Sequence, residues 1–413
     1  MLNPIRKEAT QIHAKRGSRP KSEPDSRNVG RRRFLSTGAG VLAATRLKRT
    51  VSARPQEGTP ARKPSIRTRE GENPPRTLEG LDLQIWEEEL ADFVPTRIFD
   101  AHCHIYRAGF DLNYRAALSG IEDFKTETVW TDCGIDTVRQ VESVLMPGRK
   151  ITHLAFPFPF YRCDFRKSNE FTGQEVRKEP GSAGLMLVEP SISAHEVEET
   201  ILKHRLLGLK PYPRYCPPRD SGCRITDFLP EHQIAVADRY GLLIMLHVGM
   251  KKSFADPRNV SDMLRLADRY PRARWILAHS ARSFSPYPIE RAAPAFRGLP
   301  NIWYEVSAVC CMESFDVLFS QVDTDRILYG ADSGDVAFSR GKIVFYGSSW
   351  GDLTPSTNKL GGELTYLLYE QLRAMRRAAI RLGLTGEQLQ DIFFNTGDRL
   401  VRSVAASMRD KFQ

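Results

Sequence analysis

Long apolar runs are missing from this chain: none approaches the ~18–20 residues that span a bilayer, so no membrane-crossing segment is expected. No GxGxxG or GxxxxGK[ST] phosphate loop occurs, which demotes hydride transfer on a dinucleotide fold and nucleotide-triphosphate chemistry. Cysteine is scarce. Seven in 413 residues, an odd number, do not build a disulfide framework, and Cys216 and Cys223 lack a zinc-ribbon spacing. A basic face on the folded body is also lacking. Residues 1–76 carry 19 Lys+Arg against 6 Asp+Glu (+13); the remainder carries 60 − 19 = 41 against 50 − 6 = 44 (−3). The net charge of +10 therefore sits in the N-terminal segment, and no nucleic-acid partner is expected for the rest.

What the chain does have divides it in two. Residues 1–76, rich in Arg, Lys, Pro, Ser and Gly, read as a disordered basic tail. Within it, Arg31-Arg32-Arg33-Phe34-Leu35-Ser36 and the mildly apolar Thr37–Thr45 resemble a bacterial twin-arginine export signal, with Val51-Ser52-Ala53 as a cleavage site. This implies a periplasmic enzyme, exported folded; without such export it would be cytoplasmic. From residue 78 to 413 the pattern is that of one α/β domain. A short helix is expected through Leu81, Ile85, Trp86 and Leu90. Eight strand-length apolar runs follow, ending near His104, Phe156, Val188, Lys210, His247, His279, Val306 and Asp332. Helical periodicity fills the gaps, as in Val260, Met263, Leu264, Ala267 and Tyr270 before Pro271. A long helix is marked by Leu364 to Met375, and Thr385 with Gln388 forms a capping box. Eight strands alternating with helices favour a (β/α)8 TIM barrel over an open doubly wound sheet.

Four runs end in a metal-type side chain, and the carboxyl ends of the strands are where such a barrel gathers its chemistry. His102 and His104, two apart on a strand, face the same side and make half a zinc site. Asp100 lies one step earlier on that face, as a partner of the ligands or a structural acid. Cys103 points the other way and is expected to pack under a helix. His247, His279 and Asp332 close later strands, whereas His13, His153, His195, His204 and His232 read as surface or structural. Tyr106, Arg162, Tyr212, Arg214 and Arg282 lie just past strand ends, on loops that should ring the centre and suit a carboxylated or aromatic substrate.

The runs Phe99-Asp100-Ala101-His102-Cys103-His104, Gly208-Leu209-Lys210, Met245-Leu246-His247, Ile276-Leu277-Ala278-His279 and Leu328-Tyr329-Gly330-Ala331-Asp332 resemble the amidohydrolase superfamily. So does the closing Ile392–Leu400. The similarity is to its amidohydrolase-related (amidohydrolase 2) branch, which holds metal-dependent hydrolases and non-oxidative decarboxylases, and it covers roughly residues 78–405. It implies that His102, His104, His247 and Asp332 hold one divalent metal, zinc, and that His279 and Asp332 carry the acid/base chemistry. It implies two metals if Lys210 is a carboxylated bridge; otherwise Lys210, with Tyr212 and Arg282, is a substrate-binding group. The expected activity is hydrolysis of a small amide, ester or lactone by metal-activated water; the alternative is decarboxylation of an aromatic or semialdehyde acid at the same centre. The partner is a small molecule, and a homo-oligomer is left open.

Overall fold

The computed structural model describes residues 75–119, 130–216, 222–347 and 349–412. The basic segment, with the Arg31–Ser36 motif and Val51–Ala53, lies outside them. Eight parallel strands carry the domain: β1 (Arg97–Arg107), β2 (Lys150–Pro157), β3 (Ala183–Gly184 and Met186–Val188), β4 (Gly208–Pro211), β5 (Leu243–Leu246), β6 (Arg274–Leu277), β7 (Ile302–Glu305) and β8 (Ile327–Leu328). Each pairs in parallel with the next. Hydrogen bonds then return the last to the first. Ala101 donates its N–H to Tyr329 O (3.0 Å), His104 to Ser333 O (2.7 Å), and Ser333 to His102 O (3.1 Å). The sheet is a ring.

Leu243–Leu246 in β5 and Trp275–Leu277 in β6 read as unbroken apolar runs because both faces are covered, and every one of these residues is buried. A helix follows each strand: α1 (Ile135–Leu145), α2 (Phe165–Glu175), α3 (Ala194–His204), α4 (Glu231–Tyr240), α5 (Pro257–Arg269), α6 (Pro286–Ala292), α7 (Met312–Gln321) and α8 (Leu367–Leu382). Local signals set their ends. Asp164, Ser193 and Asp256 accept from backbone N–H groups in the first turns of α2, α3 and α5. Gly241 and Gly383 end α4 and α8 in the left-handed conformation. The Thr385–Gln388 capping box forms as expected, and α8 opens at Leu367, after Leu364. The helix before β1 (Gly80–Ile85) runs on into a π-turn, Trp86–Leu90. A final helix, α9 (Thr396–Met408), packs against β1 and closes the amino end of the barrel.

Two features lie outside the periodic pattern. An antiparallel hairpin, β9 (Lys342–Tyr346) and β10 (Ser349–Leu353), leaves the barrel after β8. Gly347 to Gly351 spells GxSxG, yet Ser349 opens the second strand of a hairpin and not a strand-to-helix elbow, so it lacks the setting of an elbow nucleophile. Second, Cys216 and Cys223 form a disulfide (Cα–Cα 6.3 Å), while the other five cysteines are free and buried. Among the described residues, no helix is long and apolar enough to cross a membrane.

Candidate metal centre

At the carboxyl ends of β1 and β8 the ring draws three ligand-type groups together. His102, His104 and Asp332 place one ligand atom each within 4.8 Å of the others. Asp332 Oδ1 stands 3.4 Å from His102 Nε2 and 3.3 Å from His104 Nε2. That oxygen is buried and has no hydrogen-bond partner. An orphaned buried carboxylate oxygen facing two imidazoles is costly unless a cation occupies the space between them. The donor set, two imidazoles and a carboxylate, suits a divalent transition metal, so these residues fit the expected ion. His247 lines the same pocket, its ring 5.3 Å from that of His279 and 5.4 Å from Tyr212, one ring away from the tight trio.

Burial holds all four imidazoles neutral, as metal ligation and proton acceptance require. It pushes His104 down to about 3, His279 down to about 4, and His102 and His247 well below the ordinary histidine value; Lys210 adds to the effect on His102 and Arg282 on His247. The orientation of His279 is fixed at its other nitrogen. Its Nδ1 lies 2.9 Å from the carbonyl oxygen of Ser307, which can only accept, so Nδ1 carries the proton. Nε2 is left with a lone pair. His279 is therefore a proton acceptor at neutral pH.

Behind the histidines lies a carboxylate that sequence reading missed. Glu305, at the end of β7 and fully buried, sits 2.8 Å from His102 Nδ1 and accepts the backbone N–H of His279 (3.1 Å). Ser307 donates to it through both its N–H and its hydroxyl. Glu305 thus orients the His102 imidazole and the backbone of His279 together, as carboxylates behind metal-bound histidines do. Burial pushes it up to about 8 against these donors. The signal was available: an acid closing an apolar strand run, the feature that singled out Asp332.

Lys210 is also fully buried. Its Nζ lies 3.4 Å from His102 Nε2 and 4.3 Å from the centre of the Phe156 ring, and burial pushes it down to about 7. It sits beneath the ligands, while Tyr212, Arg214 and Arg282 line the pocket above them with Phe158 and Asp335. Tyr212 reaches His104 Nε2 at 3.3 Å. Arg282 is largely buried, its Nε has no hydrogen-bond partner, and its guanidinium lies 5.2 Å from the centre of the Trp350 ring on the hairpin. Tyr106 and Arg162 are not part of this lining. The Tyr106 hydroxyl accepts from Trp130 N–H, and Arg162 donates to Asn113.

The backbone at this site is unusual. His279, Ser280, Ala281 and Arg282 all have φ between 49° and 60°, and Asp332 has φ 66°. Non-glycine residues in this left-handed region cost of order 1–3 kcal/mol each and cluster where side chains must be aimed. Nearby, Gly330 is required by space. A Cβ there would lie 2.8 Å from Glu305 Cδ and 2.9 Å from His102 Cβ. We expect Gly330→Ala to lower stability by roughly 1–3 kcal/mol and to weaken metal binding by displacing His102, measured by denaturant titration and by metal content.

The asymmetry of β1 corrects one expectation. Its register against β2 slips between Asp100 and Cys103, where a bulge inserts an extra residue. Asp100 is thereby turned away from the imidazoles. It meets Glu142 and His153 on the outside of the barrel, and its Oδ1 touches the centre only through the backbone N–H groups of His102 and Ala331. Cys103 is buried on that outer side, as expected.

One family model agrees with the motifs. Residues 207–341 match a family model described as amidohydrolase, Amidohydro_2. Among solved structures, the chain is similar to a 4-oxalomesaconate hydratase from Rhodopseudomonas palustris: 16% identity, TM-score 0.49, covering 76% of this chain and 98% of that one. It is similar to a 5-carboxyvanillate decarboxylase from Sphingomonas paucimobilis: 14% identity, TM-score 0.48, 75% and 99% covered. A putative amidohydrolase from Staphylococcus aureus shows 15% identity, TM-score 0.46, with 74% and 99% covered. No curated protein matches.

Proposed function

We propose, for a chain whose residues 207–341 match the amidohydrolase 2 family model, a metal-dependent hydrolase of a small carbonyl compound such as an amide, ester or lactone. The observation that carries this reading is the buried, unpartnered Asp332 Oδ1 between His102 and His104, with His279 presenting a free lone pair beside it. His102, His104 and Asp332, with His247 alongside, would hold the ion. Zinc is our assignment, and one ion our count for this centre. When bound, such a cation supplies Lewis acidity to a carbonyl and makes water acidic enough to react near neutral pH. The chain's own groups do the rest. Asp332 accepts a proton from the attacking water and delivers it to the leaving group. His279 accepts a hydrogen bond or proton at Nε2, because Ser307 O keeps Nδ1 protonated. Tyr212 and Arg282 bind the substrate from the pocket wall. Lys210, under the ligands, steadies the negative charge of Asp332 and Glu305.

A second reading is favoured by one observation. Arg282 is a largely buried cation that no carboxylate among the described residues pairs with, and a substrate carboxylate would fill that role. Decarboxylation of an aromatic or semialdehyde acid would use the same ligands and proton carriers. Turnover in ¹⁸O-labelled water separates the two. Label entering the product supports hydrolysis; carbon dioxide released with no label in the organic product supports the lyase and rejects our first reading.

The pH profile follows from the direction of the His279 shift. A base must be unprotonated to act, and burial holds this one at about 4. We therefore expect the limb of kcat/KM that belongs to His279 to lie near pH 4, well below the limb from ionisation of metal-activated water. A limb near the ordinary histidine value of about 6.5 that is present in the wild type and absent in His279→Asn would contradict this placement.

A further inference from the structure

Outside the barrel, between β1 and α1, lies a second buried cluster that the proposed chemistry does not use. Asp100 on β1, Glu142 on α1, His153 on β2 and Glu179 ahead of β3 are all buried, with exposures of 8% or less. His153 Nε2 is 2.9 Å from Glu142 Oε2, and its Nδ1 is 2.7 Å from Glu179 Oε2. Ser333 donates to Glu142 Oε1 at 2.8 Å, and Ser182 donates to Glu179. Asp100 Oδ1 accepts two backbone N–H groups, from His102 (2.9 Å) and Ala331 (2.8 Å). Its Oδ2 is fully buried and has no hydrogen-bond partner. One ligand-type atom from each of Asp100, Glu142 and His153 lies within 4.8 Å of the others.

The charges do not balance. Three carboxylates face one imidazolium and Arg139, whose Nε is 3.3 Å from Glu179 Oε1. One more positive charge, a proton or a cation, is needed to neutralise the cluster, and Asp100 Oδ2 has no partner to share a proton with. We infer that Asp100, Glu142 and His153 form a second divalent-cation site, separate from the barrel mouth. The ion would take Asp100 Oδ2, a Glu142 oxygen and His153 Nε2 as ligands, and binding releases the proton from that nitrogen. His153 Nδ1–H stays bonded to Glu179, the arrangement that orients metal-bound imidazoles. With the ion in place the sum is +2 from the metal and +1 from Arg139 against three carboxylates, which is zero. Two carboxylates and one imidazole suit a cation such as Mn²⁺. Glu142 and Glu179 also line an outer-surface cavity with Asp136, Arg139 and Lys150, which provides an entry path independent of the active-site pocket. Because Asp100 holds the N–H groups of His102 and Ala331, an ion here would brace the junction of β1 and β8.

The test uses the full chain, stripped of metal and equilibrated with Mn²⁺. Crystals should show an anomalous peak between Asp100, Glu142 and His153, and bound Mn²⁺ should fall by one ion per chain in Glu142→Gln, which keeps an acceptor for Ser333. No peak at this cluster overturns the inference whatever the barrel mouth contains, and so does a folded Glu142→Gln chain that binds as much Mn²⁺ as the wild type. Should the variant fail to fold, the wild-type map decides alone.

Discussion

Asp332→Asn should lose the barrel-mouth ion and lower kcat by more than about 10⁴-fold. Proton transfer by one positioned group is worth roughly 10²–10⁴, and Asp332 is assigned that role together with metal ligation. The substitution is chosen for the backbone. Asp332 has φ 66°, a conformation that asparagine tolerates far better than alanine, so the loss reports on charge and not on a collapsed loop. Atomic absorption and steady-state kinetics on the same preparation check it. A variant that retains both metal and turnover would remove Asp332 from the site.

His279→Asn should separate chemistry from binding. His279 is placed beside the ligands, with ring centres 4.8 Å from His102 and 5.3 Å from His247, but it lies outside the trio that converges on Asp332 Oδ1. Metal content should stay at the wild-type level while kcat falls by about 10²–10⁴. Asparagine again suits the local φ of 54° and cannot accept a proton. Unchanged kcat would leave His279 a structural histidine, and metal lost with activity would make it a ligand.

The sequence shows much of this fold for a physical reason. Strands covered on both faces are apolar in the main, so β5 and β6 stand out as hydrophobic runs with a histidine just past each end. The same rule singles out His247, His279 and Asp332. It applies equally to Glu305, the acid that closes β7. Asp100 could not be placed by alternation because a bulge breaks the alternation between Asp100 and Cys103. The left-handed turn His279–Arg282 is invisible for a similar reason: histidine, alanine and arginine announce no such backbone. Lys210 is read correctly as lying at the end of β4, yet only its packing places it beside His102 and outside the pocket wall. The Cys216–Cys223 pair falls in a loop where seven residues of separation allow closure without requiring it.

Anomalous diffraction from the metal-loaded full chain is the most direct test of the central claim. The account predicts a transition-metal peak about 2.0–2.2 Å from His102 Nε2, His104 Nε2 and an Asp332 oxygen. A map from active enzyme with no metal among those three groups would contradict it.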